Sequence, residues 1–85
     1  MKKIILDCSQ ISDAPALHRA LKETLGFPDF YGHNLDALHD CLTEISEETS
    51  LTLNGFDTLG SFRTGFRIVL NAAEEENPHL YVYLA

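Results

Sequence analysis

Three short β-forming runs are held apart by stretches of helical spacing, and that alternation limits the possible folds more than any other feature of the chain. KKIIL (Lys2–Leu6) is an apolar run behind two charges, and it reads as a buried strand at the centre of a sheet. SLTL (Ser50–Leu53) runs into the turn pair Asn54-Gly55, and LYVYLA (Leu80–Ala85) alternates and is rich in β-formers. Between the first two runs lie two helical patterns. In the first, Ser12 or Asp13 can cap, Pro15 falls in the opening turn, Leu17, Leu21 and Leu25 form the inner face, and Gly26 and Pro28 end it. The second is capped by Asn34 and buries Leu35, Leu38, Leu42 and Ile45. A third pattern starts near Ser61, places Phe62, Phe66, Val69, Leu70 and Ala73 on one face, and stops at Asn77-Pro78 after three consecutive glutamates. The order is β-α-α-β-α-β. Strands joined through helices lie parallel with right-handed crossovers, so the expectation is an α/β fold: one domain over residues 1–85, with a three-stranded parallel sheet and flanking helices.

Thirteen acidic residues against six Lys and Arg give a net charge of −7. A direct nucleic-acid binder needs a basic footprint to displace counterions from phosphates, and this chain lacks one. A basic protein is the complementary partner. Cys8 and Cys41 have no zinc-site spacing and read as buried free thiols. The start MKKIILDCSQ has too short an apolar run for a signal peptide, and no stretch approaches the roughly 20 apolar residues that span a bilayer. The expected location is the cytoplasm, with no membrane association.

The second helix carries the clearest functional signal. Asp36, Asp40, Glu44 and Glu47 fall at steps of four and three along its outer face, where like charges one turn apart repel by a few tenths of a kcal/mol per pair. Asp36 is accounted for by the helix N-terminus, which stabilises a carboxylate. Asp40 and Glu44 lie beyond that reach and have no basic residue at i±4. A solvated polar face is the plain alternative. Before the helix stand Phe30 and Tyr31, two adjacent aromatics that cannot both point inward from an extended segment. An exposed aromatic beside acids has the composition of a binding hot spot. His33, Asp36, His39 and Asp40 also admit a metal reading, since residues three and four apart meet on one helix face, although the two-histidine signature around a Glu is absent. His18 and His79 read as surface residues. No phosphate loop and no nucleophile motif equip the chain as an enzyme, and no cofactor is implied.

The segment LHRALKETLGFPDFYGHNLDALHDCLTEI (Leu17–Ile45), and within it PDFYGHNLDALHDCLT (Pro28–Thr43), resembles the barstar family, intracellular inhibitors of secreted bacterial ribonucleases. The apolar strands at both ends fit as well. The resemblance implies an immunity protein that docks its second helix and the preceding loop into the active site of a basic ribonuclease, and that is a monomer when free. It assigns Asp40 to the site of the scissile phosphate and gives Asp36 a supporting role. Phe30 falls where the family has a Tyr that packs on the catalytic His, Asn34 and Thr43 match interface positions, and Glu76 falls on a further acid. Tyr31, Leu35, His39 and Glu44 complete the implied partner-binding set. The chain departs from the family at His39, where barstar has a Trp, and at Ala72, where barstar has an interface Glu. Its segment from Asn54 to Ser61 is also shorter. The departures at His39 and Ala72 leave room for an interaction module for a different basic protein, and the spacing of His33, Asp36 and His39 or Asp40 leaves a small metal-binding protein as a further reading.

Overall fold

A computed structural model describes the whole chain, Met1–Ala85. β1 (Lys2–Asp7) leads through a short 3₁₀ turn into α1 (Ala14–Leu25) and then α2 (Leu35–Thr43). β2 (Thr49–Asn54), a second 3₁₀ turn, α3 (Arg63–Glu76) and β3 (Leu80–Leu84) follow. Local chemistry sets the boundaries. Asp13 accepts from the Ala16 N–H at 2.9 Å and caps α1, so of the two candidate caps it is Asp13 that acts. α1 ends at Gly26, whose φ of 72° lies in the left-handed region that glycine enters without strain. α3 starts two residues later than the helical spacing implied, at Arg63.

The three strands are parallel in the order β1-β2-β3, with Lys2 opposite Thr49 and Thr49 opposite Leu80. β2 is therefore central and β1 lies at an edge, which corrects the central placement of KKIIL. Its burial alternates, and Ile5 is 68 % exposed. Two successive right-handed crossovers stepping the same way across a sheet put their helices on the same side. Leu51, Leu53, Leu80 and the half-buried Ile4, Leu6 and Val82 accordingly face the helices, while Ile5, Tyr81 and Tyr83 stand on the uncovered face. The core is closed by Leu17 and Leu21 of α1, Leu38 and Leu42 of α2, and Phe66, Leu70 and Ala73 of α3. At the β3 edge, Glu74 of α3 accepts the Val82 N–H at 2.6 Å, occupying a donor that would otherwise invite another strand.

Two buried polar groups join these elements. Asn77, 3 % exposed, donates from Nδ2 to the carbonyls of Leu42 and Ile45, both at 2.9 Å, and accepts the His79 N–H at 2.9 Å. It ties the end of α2 to the start of β3. His18, 4 % exposed, shares a 2.6 Å hydrogen bond with the Tyr31 hydroxyl and packs on Phe66 with ring centroids 4.7 Å apart. That burial corrects the surface placement of His18, because Tyr31 supplies the partner that lets the ring enter the core. Cys8 is buried, but Cys41 is only half-buried. No helix is long and apolar enough to cross a membrane.

Candidate partner-binding face

The loop before α2 resolves the aromatic pair. Tyr31 turns inward and is 5 % exposed, whereas Phe30 is 88 % exposed. Burial pushes the Tyr31 hydroxyl up to about 12, so it remains a phenol able to bond the neutral His18. Burial first, and then the nearby His33, hold the His18 ring below its ordinary value. Tyr31 thus anchors the loop from which Phe30 projects. His33 takes a left-handed φ of 50°, unusual for a side chain of its size, at the bend between this loop and the helix.

Asn34 accepts the Ala37 N–H at 2.8 Å and donates to the Gly32 carbonyl at 3.2 Å. Its amide is engaged in capping α2 and in bracing the turn. From that cap, Asp36 and Asp40 project one turn apart to solvent, with the Asp40 side chain 81 % exposed. Glu44 closes the helix as its C-terminal cap residue, and Glu47 lies beyond the end of the helix, so the stripe is shorter than four members. Thr43 turns its hydroxyl back onto the helix, donating to the His39 and Asp40 carbonyls at 3.0 Å each. Leu35 is half-buried and packs against the core.

α3 adds one acid. Glu76 Oε2 lies 2.5 Å from His39 Nε2, and His39 Nδ1 lies 3.9 Å from Asp40 Oδ1. The Glu76 hydrogen bond raises the His39 ring above its ordinary value; burial opposes it less strongly, and the charges of Glu76, Asp40 and Asp36 add to the rise. Between Lys22 and Arg63 the sequence holds no Lys or Arg at all, so no fixed positive charge from that stretch offsets Asp36, Asp40 and Glu44. His39 is thus the one group of that stretch able to bring positive charge to the stripe.

Between Phe30 and α2 runs a groove of about 270 Å³, with Tyr31, Ala37 and Cys41 in its floor and Asp40 and Glu44 among its walls. Reading the sequence for charge passed over Ala37 and Cys41. The signal was present, since each stands one residue after an acid of the stripe, and their i, i+4 spacing puts a second, apolar row beside it. No three His, Cys, Asp or Glu side chains converge as a metal site. The His33 ring lies toward α1, 6.0 Å from that of His18.

The fold thus combines parallel strands, helices on one side, and an acid helix beside an exposed aromatic. The chain belongs to the barstar family: the family profile described as Barstar (barnase inhibitor) matches residues 1–80. It is also 42 % identical over 81 residues to a Bacillus subtilis (strain 168) protein named "Putative ribonuclease inhibitor YrdF", covering 89 % of each chain.

Proposed function

We propose that this protein is a cytoplasmic inhibitor of a secreted bacterial ribonuclease and is not itself an enzyme. α2 and the loop before it enter the enzyme's basic cleft. Asp40 takes the place of the scissile phosphate and Asp36 supports it. Phe30, His39, Glu44 and Glu76 frame the contact. Asn34 and Thr43, engaged with the backbone of α2, hold the helix in position, and Tyr31 and Leu35 act from beneath.

The observation that carries this reading is the exposure of Asp40, one turn from Asp36, with no Lys or Arg on its helix and only the side of the His39 ring near it. An RNA-cleaving site must hold a phosphate with cationic donors, and carboxylates at helical spacing can accept the same charge-assisted bonds. The repulsion within the stripe is relieved on docking. A net charge of −7 also favours fast, salt-sensitive encounter, a behaviour for which barnase and barstar are themselves the standard worked pair.

Inhibition of a panel of small secreted bacterial ribonucleases, barnase included, tests the reading. Losing one partner of a desolvated charge pair costs upwards of about 2 kcal/mol, a value in part drawn from the barnase–barstar pair, so Asp40→Ala is expected to weaken inhibition by roughly thirtyfold or more. Glu47→Ala, beyond the helix, should change it little. Equal effects at the two positions remove Asp40 from its assigned role. Failure of the wild type against the whole panel favours the second reading, a barstar scaffold serving another basic protein, for which the half-exposed His39 in place of an aromatic is the specific observation.

A further inference from the structure

His39 occupies the middle of the acid face. Its side chain is 32 % exposed, and it is the only ionisable group that links α2 to α3 there. The groups facing the ring are Asp36 and Asp40 from its own helix and Glu76 from α3. The cations of α3 are engaged elsewhere: Arg63 donates to the Leu59 and Gly60 carbonyls, and Arg67 lies 3.5 Å from Asp57. The ring is therefore surrounded by carboxylates, all three of which belong to the set proposed to meet the enzyme.

We propose that His39 is a proton-linked latch: in the free protein its imidazolium holds Glu76 and Asp40, and docking of the acid face into a basic cleft expels that proton, so affinity falls as the medium acidifies. This rests on the reading that the acid face engages a basic cleft. Both states follow from charge. In the free protein the carboxylates favour the protonated ring, in keeping with its raised position. In the complex, arginine and lysine groups compete for those carboxylates, and the ring stands in a cationic field that disfavours its charge. The ring's titration midpoint is then lower bound than free.

Binding releases up to one proton between the two midpoints, the upper of which lies above the ordinary imidazole value of 6.5. Above that window affinity is flat. Within it, each unit of acidification weakens binding by up to about tenfold. Below it the dependence flattens again. A Trp or Gln at this position would bind without proton release.

The test uses NMR titration of the histidine rings, with a hexa-arginine peptide as a defined stand-in for a basic cleft. In the free protein, Glu76→Gln should lower the His39 midpoint; an unmoved midpoint overturns the latch. With saturating peptide, the wild-type His39 midpoint should fall while the His79 ring, paired with Glu48 and not with the acids around His39, serves as the control. Peptide affinity should weaken from pH 8 to pH 5.5, and His39→Gln should abolish most of that change. If Asp40→Ala leaves peptide affinity intact, the docking reading fails and takes the latch with it. If Asp40→Ala weakens binding but the peptide leaves the His39 midpoint in place, the latch alone is overturned.

Discussion

Replacing Asn77 with alanine isolates the link that fixes where α2 ends. The side chain makes three hydrogen bonds of 2.9 Å, two to the carbonyls of Leu42 and Ile45 and one from the His79 N–H, and is 3 % exposed. A net value of about 1 kcal/mol per bond gives a loss of about 3 kcal/mol. Relief is limited, because water reaches the site poorly and the Leu42 carbonyl retains only a 3.4 Å contact with the Ile45 N–H. Domains of this size have a total stability of roughly 4–13 kcal/mol, so the variant should still fold but lose a large share of its margin. The melting temperature should drop by about 12–24 °C, and the urea midpoint by about 2 M. Urea titration followed by far-UV circular dichroism measures both variant and wild type. Asn77→Asp is a sharper companion: it keeps the acceptor for His79 but turns a carboxylate toward two carbonyls, so at pH 7 it should be at least as unstable as the alanine variant. A loss below about 0.5 kcal/mol in Asn77→Ala would refute the claim that this amide joins α2 to β3.

Because His18 titrates lower in the folded chain than unfolded, the unfolded state takes up its proton first as pH falls below 6.5, and stability is lost in that direction. The urea midpoint should decline more steeply between pH 6.5 and pH 5 in the wild type than in His18→Gln; parallel slopes would exclude the buried ring as the cause. Raising salt from 50 to 500 mM should slow association with an inhibited ribonuclease much more than it speeds dissociation, as stopped-flow mixing will show, because the Debye length shrinks from about 14 Å to about 4 Å over that range. Glu74→Ala frees the Val82 N–H at the sheet edge and should cost about 1–2 kcal/mol while increasing self-association at high concentration, measured by sedimentation velocity.

What the sequence discloses divides along the range of the interactions. Strand and helix types were legible because periodicity is local: Leu38 and Leu42 are buried, as their spacing required, and Asn34 caps α2 as its position implied. The exposure of one member of the Phe30–Tyr31 pair was legible from sterics alone. The central strand was misassigned because KKIIL shows only that a strand is apolar, whereas the order of strands follows from the direction of two crossovers. His18 was misplaced because its partner is the hydroxyl of Tyr31, thirteen residues away, and nothing near His18 announces it. Glu47 was counted with the helix because its spacing fits, yet α2 stops at Thr43, and Asn77 takes up the carbonyls of Leu42 and Ile45 just there. The acid stripe could be read directly; the His39–Glu76 contact could not, since α2 and α3 meet only in the fold.

The parallel order of the strands has a kinetic consequence. No strand pairs with a neighbour through a hairpin, so the sheet has no local nucleus, and each pairing must first close a long crossover loop. Folding on the millisecond-to-second scale, and not the microsecond scale of small helical bundles, is the expected result. The acid face shares that delay. His39 of α2 and Glu76 of α3 stand 37 residues apart with β2 between them, so their contact must also close a long loop. The charge pattern of that face is written along one helix, but its closure by α3 waits for the same long-range packing as the sheet.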